Sequence, residues 1–315
     1  MRAVTAVDGV LTTEQRPRPE AGPGEVLVRV HAAGLNGADI LQRRGLYPPP
    51  PGTPNPEVLG MEFAGEVVAA GPGVSRFAPG ERVMAIVPTG AQAEYVVVDE
   101  RVLMAVPEAV DLVSAGGLPE VFTTAHDAIC TQAGLQAGER LLVHGAAGGV
   151  GSAAVQIGHA LGAEVSATVR NPDQRELVAG LGASVLDPAE FVAAGPYDVI
   201  LELVGAPNMP GNLEALATGG RITVIGIGAG ARAELNLGVL MAKRARIHGS
   251  TLRARPLEQK AQAARALERD VLPLFQRGAV HVPVAETYPL AQAAEAYARF
   301  EAGGKFGKII LTCAA

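Results

Sequence analysis

Cysteine is scarce in this 315-residue chain: Cys130 and Cys313 are the only two, and they lie far apart. Two thiols cannot build a zinc cluster by themselves, and each reads as a free thiol rather than half of a structural disulfide. The chain lacks a large excess of one charge. Its formal net charge of -6 disfavours a general nucleic-acid binder. Low-complexity blocks and repeats at solenoid periods are absent. No apolar signal core precedes Pro19, so the expected location is the cytoplasm. The six histidines show no metal-ligand spacing. One long stretch, from Leu141 to Ala163, lacks Asp, Glu, Lys and Arg. Its many glycines, with His144 and His159, argue against a membrane helix. The composition, 48% hydrophobic and 18% charged, is that of a globular protein long enough for two domains.

The segment from Arg140 to Val169 reads as strand, glycine turn, helix, strand. Arg140 to His144 is short and mostly apolar. Val150, Ala154, Ile157 and Leu161 then recur at helical spacing, and Gly162 stops the helix. Glu164 to Val169 resumes as a strand. The turn between, Gly145-Ala-Ala-Gly-Gly-Val-Gly151, exposes backbone N–H groups at a helix N-terminus, where the helix dipole attracts a pyrophosphate. Ala146 holds the first glycine position of the strict dinucleotide pattern, and a bare turn in any α/β protein would look similar. The βαβ context points to a nucleotide site. Gly148, Gly149, Val150 and Gly151 are its candidate binding residues.

The first third is β-rich. Val26, Val28 and Val30 alternate with Leu27, Arg29 and His31; Phe63 to Ala69, Arg82 to Val87 and Ala93 to Val98 are further strand candidates. Tyr47-Pro-Pro-Pro-Pro-Gly52, with Pro54 and Pro56, is a loop because proline cannot donate to a ladder. Beyond Gly116 strands and helices alternate. Strands are expected at Val185-Leu186, Asp198 to Val204, Arg221 to Ile225 and Arg246 to Gly249, with helices starting near Pro172, Gly211 and Leu237. This order implies α/β architecture with a doubly wound parallel sheet. Helical patterns follow at Pro256 to Arg277 and Pro289 to Glu301. A last strand, Lys308 to Thr312, is expected to fold back onto the first domain. The expected domains are residues 1–115 completed by 253–315, and 116–252.

The chain resembles the medium-chain dehydrogenase/reductase superfamily, and within it the quinone oxidoreductase branch. The matching pieces are Ala33-Gly-Leu-Asn-Gly-Ala-Asp39, Gly60-Met-Glu-Phe-Ala-Gly65, Gln92-Ala-Glu-Tyr95, Leu118-Pro-Glu-Val-Phe-Thr-Thr124, the glycine turn and Gly249-Ser-Thr-Leu-Arg-Ala-Arg255. Those at Leu118 and Gly249 resemble the p53-inducible quinone reductase subgroup. The resemblance implies a GroES-like β-rich domain, a Rossmann domain, a cleft between them and a homodimer. The exposed sheet edge near Arg221 to Ile225 is the expected dimer contact. It also implies no zinc. Zinc-dependent members place Cys where this chain has Asn36 and His where it has Met61, and neither replacement suits Zn²⁺.

Cofactor preference can be read from residues. An NAD site usually carries an acid about 20 residues beyond the glycine turn. Arg170 stands there instead, followed by Asn171 as N-cap, Pro172, Gln174 as partner in a capping box, and Arg175. Arg170, Asn171 and Arg175 would hold the 2′-phosphate of NADPH, whereas Asp173 would oppose it; both arginines also suit a solvated surface. Val204-Gly205 and Ile225-Gly226 end strands at the carboxyl edge, where ligands bind in open α/β sheets. By resemblance, Thr124 lies near the nicotinamide carboxamide, and Ser250, Leu252 and Arg253 contact the cofactor.

By resemblance, Tyr47, Asn36 and Asp39 line the substrate cleft as the catalytic set. Tyr47 suits stacking on a flat ring, proton donation or packing of the proline loop. Asp39 equally suits helix capping. Glu62 orients the cleft, and His144 reads as positional. The expected activity is NADPH-dependent, zinc-independent reduction of a quinone or conjugated carbonyl. The alternatives are a 2-enoyl thioester or enone reductase and a non-catalytic NADPH-binding protein.

Overall fold

The structure is a computed structural model and describes residues 1–313. Two compact units emerge, Met1–Thr123 with the chain from Leu252 onward, and Thr124–Thr251.

The first unit opens with a hairpin, β1 (Arg2–Val7) and β2 (Val10–Gln15), turned at Asp8 and Gly9, both at positive φ. Then come β3 (Glu25–Gly34), α1 (Gly37–Arg43), β4 (Glu62–Ala70), β5 (Arg82–Ile86), β6 (Tyr95–Asp99), β7 (Met104–Ala105), α2 (Leu112–Ala115) and α3 (Pro119–His126). The unit boundary falls inside α3. The valines of β3 alternate as expected, but Leu27 on the opposite face is buried too. β3 is central: it pairs antiparallel with β4, β6 and the C-terminal strand.

The second unit carries β8 (Arg140–Val143), α4 (Gly149–Ala160), β9 (Glu164–Thr168), α5 (Arg175–Ala179), β10 (Ser184–Leu186), β11 (Tyr197–Glu202), α6 (Met209–Ala215), β12 (Leu216–Val224), α7 (Leu237–Ala242) and β13 (Arg246–Gly249). All six strands are parallel, in the order β10-β9-β8-β11-β12-β13. Leu141, Leu142 and Val143 are fully buried, as a two-sided central strand requires. The order corrects one expectation. β12 is paired on both sides, so the segment near Arg221 is not an edge; β13 is.

The chain returns to the first unit through α8 (Leu257–Asp270), α9 (Leu272–Gln276), β14 (Val284–Pro289), α10 (Ala293–Glu301) and β15 (Lys308–Thr312). The helical pattern of 256–277 is two helices, with Pro273 opening α9. β15 pairs with the end of β3, so the last strand does fold back onto the first sheet. Tyr297 of α10 is buried and donates to Gln92 Oε1 at 2.9 Å, tying the helix to the segment before β6. Cys130 and Cys313 form no disulfide among the described residues, and Cys313 is buried.

Candidate functional site

In the second unit the expected cofactor residues gather because the sheet is parallel. The glycine turn follows β8, Arg170 follows β9, Val204-Gly205 follow β11, Ile225-Gly226 follow β12 and Ser250 follows β13. All therefore lie at one carboxyl edge. Gly148 is the N-cap of α4 and offers no side chain to the first-turn N–H groups, which suits a phosphate ligand. Gly151 serves packing: a Cβ there would sit 2.6 Å from Ala146 Cα and from Gly145 O. Gly226 is equally confined, its Cβ 2.1 Å from Leu203 O.

Glu202, the last residue of β11, organises that end of the strand. Its fully buried Oε1 accepts from the N–H groups of Val204 (2.6 Å) and Gly205 (2.7 Å). Its Oε2 accepts from Asn212 Nδ2 at 2.7 Å. Asn212 Oδ1 therefore faces His144 Nε2 (2.7 Å), which must carry the proton, leaving Nδ1 to accept from Thr168 Oγ1 (3.0 Å). His144 is buried and neutral; burial pushes its pKa down. Its place is structural, joining the ends of β8, β9 and β11.

The phosphate end differs in part from expectation. Asn171 caps the turn by accepting from Asp173 N at 3.1 Å, but a 3₁₀ turn intervenes and α5 begins at Arg175. The capping box with Gln174 does not form. Arg170 is exposed. Arg175 donates to Val169 O (3.2 Å) and pairs with Asp187 at 2.5 Å. Ser250 donates to Asp127 Oδ2 at 2.8 Å, and Thr124 is 8% exposed.

Leu252 and Arg253 lie in the first unit. Arg253, expected at the cofactor, is 2% exposed and commits its nitrogens to Pro88 O (2.7 Å), Tyr47 O (2.8 Å) and Gln42 Oε1. Its guanidinium also lies 5.0 Å from the Tyr47 ring centroid. Arg253 anchors the proline loop, and the same loop is held by Gln42 Nε2 on Pro56 O at 2.9 Å. Leu252 is buried and lines a small apolar cavity with Ile86 and Met104.

Asn36 and Asp39 sit together. Asn36 is the N-cap of α1, and Asp39 Oδ2 accepts from its backbone N–H at 2.8 Å, completing a capping box. Asp39 is fully buried, and its Oδ1 has no hydrogen-bond partner. Burial pushes its carboxyl up to about 7, against the Asn36 hydrogen bond and Lys308. Asp39 thus fixes the Asn36 backbone. Around them stand Glu62, Lys308 and Glu120; Lys308 and Glu120 were not foreseen because they come from distant segments. The carboxyl of Glu120 is raised to about 8, first by burial and then by Glu62. Met61 is buried. No group of three His, Cys, Asp or Glu side chains among the described residues could hold a metal ion.

A parallel six-stranded sheet with a glycine turn at its carboxyl edge defines a dinucleotide-binding, Rossmann-type architecture. Comparisons agree. Residues 22–108 match the alcohol dehydrogenase GroES-like domain, and 184–311 the zinc-binding dehydrogenase family. Rat quinone oxidoreductase is 32% identical over 94% of this chain and 90% of its own length. The polyketide synthase component PikAII of Streptomyces venezuelae is 35% identical over 99% of this chain, which spans 8% of that protein. A mycobacterial protein solved in complex with NADPH superposes with a TM-score of 0.88 at 27% identity, covering 99% of this chain and 100% of the other. The chain belongs to the quinone oxidoreductase family of medium-chain dehydrogenase/reductases.

Proposed function

We propose that this medium-chain oxidoreductase uses NADPH to reduce a quinone or conjugated carbonyl without zinc. The observation that carries the reading is Asn36: an amide committed to Glu62 and Lys308 stands in the position that the zinc-dependent members fill with Cys. Without a Lewis acid, the acceptor must be one that takes hydride unaided, as quinones and enones do. The nicotinamide cofactor, when bound, supplies the hydride. The chain holds the pyrophosphate at the α4 N-terminus and the 2′-phosphate at Arg170, with Arg175 shared with Asp187. Tyr47 presents a flat ring to the acceptor. Dimerisation and a cytoplasmic location belong to the same reading.

A second reading is supported by the likeness to polyketide synthase modules: reduction of a 2-enoyl thioester. One assay decides between them. NADPH oxidation is measured across quinones, enones and enoyl thioesters. Turnover led by quinones supports the first reading. Turnover confined to enoyl thioesters replaces it, and NADPH binding without oxidation by any acceptor rejects both.

A further inference from the structure

Three groups fix Asn36. Besides the Asp39 contact to its backbone, its Nδ2 donates to Glu62 Oε1 at 2.9 Å and its Oδ1 accepts from Lys308 Nζ at 2.6 Å. An ammonium can only donate and a carboxylate can only accept, so the amide has one possible orientation. Lys308 spends its remaining donors on Leu35 O (2.8 Å) and Glu62 Oε1 (2.6 Å). The Lys308 and Glu62 side chains are 3% and 0% exposed, so the pair is dry and weakly screened. Glu62 is itself held through Oε2 by the Glu120 N–H at 2.8 Å.

A cation on the carbonyl oxygen of an amide draws electron density from its nitrogen. The remaining N–H becomes a stronger donor. Nδ2 carries two protons, and one goes to Glu62. The other has only Gly34 O, at 3.4 Å, which is long for a hydrogen bond. Asn36 keeps 8% exposure.

We propose that Lys308 is a positioning residue for the reaction: held by Glu62, it orients and polarises the Asn36 amide so that its second N–H donates to the acceptor's carbonyl oxygen. The inference rests on the reductase reading above. In the step, a bound reduced nicotinamide would supply the hydride pair that forms the new bond to the acceptor. The acceptor's carbonyl π pair moves onto oxygen, which then takes a proton from water. The two electrons that reduce the acceptor would come from the cofactor, which would be oxidised; Asn36 keeps its protons throughout. It replaces, as a neutral donor, part of the polarisation that a Lewis acid would give.

Lys308→Met alone would strand the buried Glu62 carboxylate and endanger the fold. The test therefore uses Lys308→Met/Glu62→Gln, which removes both charges and keeps an acceptor for Nδ2. Asn36→Ala and the triple variant complete a cycle. Two readouts are taken. The first is kcat/KM with NADPH against quinones graded in reduction potential, with NADPH affinity measured by fluorescence titration. The double variant should lose about tenfold or more, most for the acceptors hardest to reduce. It should lose nothing further in the Asn36→Ala background, with NADPH affinity retained. Equal losses for every acceptor, or a full loss without Asn36, would overturn the proposal. The second readout needs no turnover: the Asn36 side-chain amide proton resonances, assigned by their absence in Asn36→Ala, should move upfield in the double variant. Unmoved resonances overturn the proposal by themselves. A wild type inactive with every acceptor would reject the reductase reading, while the resonances still judge the hold of Lys308 on Asn36.

Discussion

Tyr47 separates the two enzymatic readings at the level of one hydroxyl. Enoyl reduction needs a proton delivered to carbon, and a placed acid contributes about 10²–10⁴-fold. Quinone reduction puts charge on oxygen, which water can protonate. Tyr47→Phe should leave quinone turnover within about tenfold of wild type, at most ~1.4 kcal/mol in barrier. Tyr47→Ala should lose more, because the ring beside Arg253 is gone. If Phe abolishes turnover while NADPH still binds, Tyr47 is a proton donor and the enoyl reading takes over. Asp39 gives a pH test. Its carboxyl is raised from 3.8 to about 7. Below about pH 4 it is protonated in both folded and unfolded chains and costs nothing. From there to about pH 7 the unfolded chain ionises and the folded one does not, so stability falls by up to ~1.4 kcal/mol per pH unit and then levels off. Asp39→Asn should gain melting temperature relative to wild type between pH 4.5 and 7.5; a constant difference would contradict the shift. Asn36 and Asp39 were named through the family resemblance of the segment Ala33 to Asp39, and the capping role of Asp39 was legible because it lies three residues from Asn36. Lys308 was not, since 272 residues separate it from Asn36 and only the β3–β15 pairing brings them together.

At the scale of elements, the glycine turn contains two different demands. Gly151 meets backbone atoms of Gly145 and Ala146, so Gly151→Ala forces the start of α4 away from that turn and should cost about 1–3 kcal/mol of stability. A Cβ on Gly148 would meet only Gly145 O, at 3.5 Å. Gly148→Ala should therefore keep the melting temperature and still weaken NADPH, because the methyl group stands where the pyrophosphate approaches. Equal loss of stability in both would refute this division. Under the proposed function, the β9–α5 turn carries the cofactor preference. Losing a charge-assisted phosphate contact costs about 1.5–3 kcal/mol, roughly 10- to 100-fold in affinity. Arg170→Ala should weaken NADPH by that amount and spare NADH. Arg175→Ala should do less, because Asp187 already neutralises that side chain. Equal weakening of both cofactors by Arg170→Ala would remove the 2′-phosphate from its role. The βαβ run was legible because apolar period, glycine and N-cap coincide within thirty residues or so. The β1–β2 hairpin was missed: β2 is mostly exposed and has no alternating apolar face to betray it.

For the whole molecule, parallel architecture follows from alternating strands and helices, but strand order does not. A crossover of similar length can return a strand to either side of the sheet. Hence β12 was expected at an edge that β13 occupies. The same limit touches metal content, since the chain matches a family described as zinc-binding. Here the residue inventory argues against zinc. The chain has two cysteines, too few for a four-cysteine lobe, and one of them, Cys313, is buried with its thiol pushed up to about 12 by burial. Thiolate, the form that binds zinc, is correspondingly disfavoured there. Where the zinc-dependent members place Cys, the Asn36 amide oxygen already faces an ammonium, and where they place His, Met61 offers a buried thioether. Zinc entering that cluster would have to displace Lys308 and leave a second cation beside it. Purified protein should therefore hold no stoichiometric zinc by elemental analysis, and NADPH-dependent quinone reduction should survive prolonged chelation unchanged. One tightly bound zinc per chain, lost together with activity, would reverse the assignment and return the site to Lewis-acid chemistry.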